Sequence, residues 1–262
     1  MSEGAVRISF DERLAGGRIG HIAVDNQRRL NCLNSSIVVA LTQAFEGMAA
    51  DSTLRAVVLT GAGDRSFIGG ADLNELQAFC ADSARLYITR LHKACKAIRD
   101  CPVPVIGRIN GFCLGAGLEI AASCDMRVGS DNAVFGMPEV HMGLPSVIEA
   151  ALLPGLIGWG KTREILLTGE TFPAADALAM GFIQKLVPAS GLDAAVAHWL
   201  DVLCRTTPEA SRNQKALMNR WERVSVEEGI WAGIDALAQA YATGEPQAAI
   251  KAFFESKAKS RR

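Results

Sequence analysis

Twice along this chain a short apolar run leads through glycines into a helical pattern, and this recurrence restricts the fold more than any other feature. Arg55-Ala-Val-Val-Leu-Thr60 has the continuous hydrophobicity of a strand buried on both faces, and Gly61-Ala-Gly63 ends it. A glycine-rich loop, Phe67-Ile-Gly-Gly-Ala-Asp72, follows. The second run, Val105 to Ile109, passes through the Asn110-Gly111 turn into Gly111-Phe-Cys-Leu-Gly-Ala-Gly-Leu-Glu119, with a helix expected from near Leu114. Strand, glycine loop and helix in repetition predict an α/β layered fold.

The flanking segments extend that pattern. Val6 to Phe10, Gly20 to Asp25, Met126 to Val128, Ala133 to Phe135 and Ile183 to Val187 read as strands. Helical spacing covers Ser35 to Ala49, with Ser35 or Ser36 as the N-cap, and Asp82 to Asp100, ended by Pro102 and Pro104. Gly169 and Gly181 bracket a short helix. From about Pro145 helical periodicity dominates, and beyond residue 191 several helices break at Thr207-Pro208 and Gly244-Glu-Pro246. We expect an α/β core over residues 1–195 and a helical region over 196–262 whose apolar faces serve oligomerisation. The basic tail, Lys257 to Arg262, reads as a solvated helix end.

Composition narrows the function. With 49% hydrophobic and 21% charged residues the chain can bury a sizeable core. A net charge of −1 gives no general attraction to nucleic acid or an anionic membrane, so an anionic ligand must be held by local groups. Seven cysteines, an odd number with no Cys-x-x-Cys pair, indicate reduced thiols. The four histidines lack metal-ligand spacing, and no metal site is expected. The start, Met1-Ser-Glu-Gly-Ala-Val-Arg, shows no secretory pattern, and long apolar stretches such as Val147 to Gly160 carry Glu149 and Pro154. A cytoplasmic protein that neither crosses a membrane nor binds nucleic acid is the expectation.

The glycine loops carry the chemistry. Glycine lets a ligand approach backbone N–H groups closely, and a helix N-terminus adds unpaired donors and partial positive charge. Each loop alone reads equally as a tight turn. Side by side, the two can offer two hydrogen bonds to one oxygen that gains negative charge, an oxyanion hole. Gly-Lys-Ser/Thr does not follow Gly61, Gly115-Ala-Gly-Leu-Glu-Ile lacks the last glycine or alanine of a dinucleotide fingerprint, and no Gly-x-Ser-x-Gly elbow occurs. Glu119 falls in the first helical turn among Leu118, Ile120, Ala121 and Ala122. There it is either an ordinary first-turn acid or an acid–base group. Glu139, after Phe135-Gly-Met-Pro138, is likewise a loop residue or a catalytic one.

At these residues the sequence resembles the crotonase (enoyl-CoA hydratase/isomerase) superfamily, and most of all an enoyl-CoA hydratase. Phe67-x-x-Gly-Ala-Asp72, Asn110-Gly-Phe-Cys-Leu-Gly-Ala-Gly-Leu-Glu119 and Phe135-Gly-Met-Pro-Glu139 match its two oxyanion segments and its second glutamate motif. Leu167-Thr-Gly-Glu, Ala174, Ala177 and Gly181-Phe-Ile match its downstream signature, and Asp25 to Leu33 its segment on the coenzyme A side. The likeness runs in order from about residue 15 to the C-terminus.

The resemblance implies a crotonase-type spiral of repeated β-β-α units with a helical C-terminal part. It implies an oxyanion hole from the N–H groups of Ala71 and Ala116. Glu119 and Glu139 would be an acid–base pair for reversible syn addition of water to a 2-enoyl thioester, Glu119 as base for water and Glu139 as acid for the α-carbon. Ile68, Gly69, Gly70, Ala71, Asp72 and Leu73, with Gly115, would line the acyl-coenzyme A site. Arg28 and Arg65 read as phosphate contacts or as ordinary surface charge. Coenzyme A enters as part of the substrate, no separate cofactor is needed, and a homotrimer or homohexamer follows.

Two departures stand out. Ala116 sits where glycine is frequent, and Gly143-Leu-Pro-Ser-Val-Ile-Glu-Ala150 replaces a glycine-rich stretch followed by Thr-Gln-Arg. The second leaves the acyl group open, with Glu149 read as structural. Within the enzyme class, the competing assignments are double-bond isomerisation and hydration of an unusual acyl group. Outside it stands an RNA-binding or scaffolding protein, supported by Arg85, Arg90, Lys93, Lys96 and Arg99 on one helix and opposed by the net charge.

Overall fold

The computed structural model describes residues 4–13 and 16–259. The start at Met1 and the end of the basic tail, residues 260–262, lie outside the described residues. Strands β1 (Ala5–Glu12) and β2 (Arg18–Asp25) pair antiparallel, from Ala5 opposite Asp25 to Glu12 opposite Arg18. Helix α1 (Ser35–Ala49) has the limits the apolar period predicts, but its N-cap is Asn34, whose Oδ1 accepts from the Ile37 N–H at 2.9 Å. Ser35 instead gives its hydroxyl and its N–H to the Glu75 carboxylate, at 2.5 and 2.7 Å.

The two apolar runs become neighbouring parallel strands. β3 (Leu54–Gly61) sets Val57 opposite Val105 and Thr60 opposite Arg108 of β5 (Val105–Ile109). Between them lie β4 (Ser66–Ile68), the short helix α2 (Leu73–Leu76) and the long helix α3 (Ala81–Asp100). After β5 come β6 (Phe112–Leu114), α4 (Ala116–Ala122), β7 (Met126–Ser130) and β8 (Val134–Gly136). β6 occupies residues where the glycine pattern predicts the beginning of a helix, which starts two residues later. Three residues hemmed in by glycine are too few to show a strand period.

Further on come α5 (Leu153–Thr168), β9 (Thr171–Pro173), α6 (Ala174–Ala179) and β10 (Lys185–Val187). The chain ends in α7 (Leu192–Arg205), α8 (Pro208–Trp221), α9 (Val226–Ala242) and α10 (Glu245–Lys259). Among the described residues the strands form one sheet ordered β1-β2-β3-β5-β7-β10 and a second ordered β4-β6-β8-β9. Each of the pairs β3/β4, β5/β6 and β7/β8 sends its first strand to the large sheet and its second to the small one. That alternation is the spiral of β-β-α units.

The main core lies against α1, α3 and α4 and includes Phe45, Phe67, Leu91, Ile120 and Phe135. A second cluster covers the other face of the large sheet, where Leu192, Val196, Leu200 and Cys204 of α7 meet Ile19, Ala56, Val58, Ile106 and Val128. The division expected at residue 195 therefore falls inside α7, whose apolar stripe belongs to the core. α8 is tied in as well. Its buried Lys215 donates to Asp125 at 2.7 Å and to the Val103 carbonyl at 3.1 Å.

A close backbone approach joins the two sheets' connections. A Cβ on Gly117 of α4 would stand 2.1 Å from the carbonyl oxygen of Ile68, at the end of β4. Gly117→Ala is therefore expected to destabilise the fold by about 1–3 kcal/mol in urea titrations, the usual range for overpacking. Gly47→Ala, on the open side of α1 where a Cβ meets nothing within 4 Å, should stabilise by roughly 0.5–1 kcal/mol. Equal stability of the two variants would remove the close contact from the account.

Candidate active site

Three parallel strands of the small sheet deliver their following loops to one end. β4 pairs with β6, Ser66 opposite Phe112, and β6 with β8, Cys113 opposite Phe135 and Leu114 opposite Gly136. Residues 69–72, 115–117 and 137–139 therefore leave the sheet side by side, as ligand-binding loops do at the carboxyl ends of parallel strands. The contact of Gly117 with Ile68 presses the first two together. Gly115 turns the chain into α4 at φ 51°, and a Cβ there would stand 2.5 Å from Oε1 of Glu139.

Most amides around these loops are used. Gly69 donates to Leu30 at 2.8 Å, Asp72 to Leu33 at 2.9 Å, Gly115 to Gly136 at 2.9 Å and Leu118 to Gly115 at 2.8 Å. Among the described residues no acceptor is found for the N–H of Gly70 and Ala71 in the first loop or of Ala116 and Gly117 in the second. Ala116 opens a helix, where the first N–H groups lack intrahelical partners, and buried N–H groups are seldom left so.

Both alanines line a cavity of about 740 Å³, and so do Gly69, Gly70, Asp72, Leu73, Gly115, Glu119 and Glu139. The other residues singled out from the sequence lie elsewhere. Ile68 is fully buried in the core, while Arg28 and Arg65 are exposed and do not line the cavity. Arg29 lines it instead, its Nη1 2.5 Å from Oδ2 of Asp72. Asp72 also caps α2 by accepting from the Asn74 N–H at 3.0 Å. Burial raises its pKa, but the hydrogen bonds from Asn74 and Arg29 outweigh that and hold it below the ordinary range. Sequence reasoning missed Arg29 because one step around a 3₁₀ turn decides which arginine points inward. It also missed the α3 wall of Ala84, Tyr87, Ile88 and Leu91, although the helical spacing was there to see.

Glu119 is 3% exposed, and its Oε1 accepts from the Ala150 N–H at 3.3 Å. Desolvation first, then the charge of Glu139, push its pKa up to about 9, with Glu149 adding to the rise and the Ala150 N–H opposing it. Glu139 lies in the 3₁₀ turn Pro138–Met142, and its Oε2 accepts from the Ser146 hydroxyl at 3.0 Å. Burial raises its pKa too, partly offset by its own backbone and Ser146. The charge of Glu139 is, after burial, the largest cause favouring the proton on Glu119. Deep burial thus favours a proton on Glu119, the residue that the sequence-based division makes the base, and burial depth is invisible in sequence.

The described helices include none long and apolar enough to cross a membrane. The family model for enoyl-CoA hydratase/isomerase matches residues 15–260. The chain is 30% identical over 242 residues to a short-chain-enoyl-CoA hydratase from Clostridium acetobutylicum, covering 92% of this chain and 93% of that protein. It is 29% identical over 241 residues to a crotonyl-CoA hydratase from Syntrophomonas wolfei, with the same coverage of 92% and 93%. The crystal structure of an enoyl-CoA hydratase from Bacillus anthracis superposes with a TM-score of 0.89 at 26% identity, covering 95% of this chain and 96% of that one.

The protonation of Glu119 sets a pH dependence of stability. Its carboxyl titrates near 4.5 when unperturbed and near 9 in the fold, so between these values the folded state binds more protons than the unfolded state. The stabilising effect is complete below about 4.5 and is lost as pH rises toward 9. Glu119→Gln cannot ionise and escapes that loss. Its melting temperature is expected to gain on wild type steadily from pH 5 to pH 9, at up to roughly 1.4 kcal/mol per pH unit. Parallel curves for the two proteins would mean that native Glu119 is already ionised.

Proposed function

The chain belongs to the enoyl-CoA hydratase/isomerase family, and from that premise we propose that it is a cytoplasmic enoyl-CoA hydratase adding water reversibly to a 2-enoyl thioester. One observation carries the assignment: the N–H groups of Ala71 and Ala116, without acceptors among the described residues, and the carboxyls of Glu119 and Glu139 line the same cavity. An isomerase moves a proton along one acyl chain, whereas hydration needs one group to take a proton from water and another to give one to carbon. Two carboxyls in one site suit the second task.

In this mechanism the thioester carbonyl oxygen accepts from the N–H groups of Ala71 and Ala116. Negative charge grows on that oxygen as water adds to the β-carbon, and donors preorganised for it are worth about 3 kcal/mol each. Glu119 and Glu139 hold the water and share one proton. The ionised member takes a proton from the water as its oxygen bonds to carbon, and the protonated member delivers its own to the α-carbon. H and OH have then been added, and the pair keeps its proton count with the proton on the other side. Because the two titrate as a unit, the acid and base roles belong to the pair. Arg29, which lines the cavity, would meet the phosphates of coenzyme A, with Arg28 one residue away in the same turn.

Self-association is supported by α9, where Val226, Ile230, Trp231, Ile234 and Leu237 are 53–82% exposed. A trimer or hexamer would cover that face. Sedimentation should show one, and Ile234→Asp with Leu237→Asp should reduce it to monomer.

Either Glu119→Gln or Glu139→Gln should slow hydration of crotonyl-CoA by about 10²- to 10⁴-fold, followed by loss of the conjugated absorbance. Calorimetric affinity for a saturated acyl-CoA should change little. Near-normal turnover in either variant would remove that residue from the mechanism.

A further inference from the structure

A third carboxyl lies beside the pair. Glu149, in the 3₁₀ turn Ile148–Leu152, is 3% exposed. Its Oε1 is 2.9 Å from Nδ1 of His92 on α3, and among the described residues its Oε2 has no hydrogen-bond partner. The next residue, Ala150, supplies the N–H that holds Glu119. The residue before, Ile148, sits at φ 38°, a conformation that a β-branched side chain resists and that persists only where the surroundings enforce it. Strain and an unsatisfied carboxylate oxygen both cost stability. A hydrocarbon side chain would fill the same space without the second cost.

Among the described residues His92 is the one basic group in contact with Glu149. Facing these carboxyls, from α3 come His92, Cys95 and Tyr87, and from the 138–142 turn comes Glu139. Cys95 and Tyr87 keep their protons, pushed up by burial and further by the neighbouring carboxylates. His92, whose side chain is 48% exposed, joins the buried carboxylate to the surface.

We propose that Glu149 and His92 form a positioning couple for the acid–base pair, in which the contact with His92 on α3 fixes the buried Glu149 carboxyl against Glu119. The inference rests on the hydratase assignment for its purpose, though not for its detection. In each cycle one member of the pair must keep a proton inside a largely apolar cavity until the α-carbon is ready to accept it. A fixed negative charge next to Glu119 supplies that retention without touching substrate. The sequence takes Glu149 as structural; its burial, its contact with His92 and its place next to Ala150 give it this task instead.

The test uses the full-length protein and the carboxylic-acid C=O infrared band of Glu119, assigned by its loss in Glu119→Gln. In Glu149→Gln the midpoint at which this band disappears should fall by about one pH unit, the effect of removing one nearby like charge. His92→Ala should do the same, because it removes the contact that fixes the Glu149 carboxyl in place. The double variant should shift no further than either single one. The alkaline limb of kcat/KM for crotonyl-CoA should move with the band. Lower melting temperatures and rates at every pH, with both midpoints unmoved, would make Glu149 structural and overturn the proposal. If Glu149→Gln fails to fold, His92→Ala at its half-exposed site decides alone. A wild-type protein inactive on crotonyl-CoA would count against the hydratase function, while the infrared midpoints would still decide the coupling.

Discussion

A helix can approach a neighbouring strand only as closely as its side chains allow, and at Gly117 α4 has none. The carbonyl of Ile68 occupies the place a Cβ would take. That one contact sets the distance between the loop after β4 and the loop after β6, and with it the relative placement of Ala71 and Ala116. Parallel pairing of β4, β6 and β8 brings the loops to the same end of the sheet, but pairing alone leaves them a side chain apart. The missing methyl lets two amides reach one cavity. Gly115 performs a related service by starting α4 at positive φ and leaving room for Oε1 of Glu139.

Bringing the loops together also buries carboxyls. Glu119 and Glu149 are each 3% exposed, and among the described residues neither forms an ion pair with lysine or arginine. Desolvating Glu119 near Glu139 without a cation is tolerable because a proton takes the cation's place, and the raised proton affinity of Glu119 is that replacement. Stability is given up at neutral pH for a carboxyl that can still donate. Local departures from the most stable arrangement are expected where a site must do chemistry, and strained Ile148 and unsatisfied Glu149 belong to the same stretch.

What could be read from the sequence follows from what each signal measures. The strand at Val105–Ile109 and the helix at Ser35–Ala49 have the expected limits because apolar continuity and helical period are local properties. The strands Ser66–Ile68 and Phe112–Leu114 are too short to have a period and are set in glycine, so they pass for loop. The cap at Asn34 in place of Ser35 depends on Glu75, forty residues away. The glycine loops and both glutamates were legible because backbone donors and carboxyls are named by the sequence itself. Which arginine faces inward, which serine meets Glu139 and which glutamate holds the proton are tertiary facts. They depend on depth and direction, which composition and spacing do not encode.

The stretch from Met142 to Ala150 joins two properties that are usually thought of apart. It contributes Met142, Leu144, Pro145 and Val147 to the cavity wall, and its one hydroxyl there, Ser146, is committed to Glu139. Such a surface grips an apolar chain by contact area, and one methylene more or less is worth only about 1–3 kcal/mol. The same stretch holds Glu119 through Ala150 and carries Glu149. A substitution that reshapes the wall must therefore move a hydrogen bond to one carboxyl or the other. The shape of the cavity wall and the hydrogen bonds to both carboxyls share one piece of backbone, so moving that backbone disturbs both.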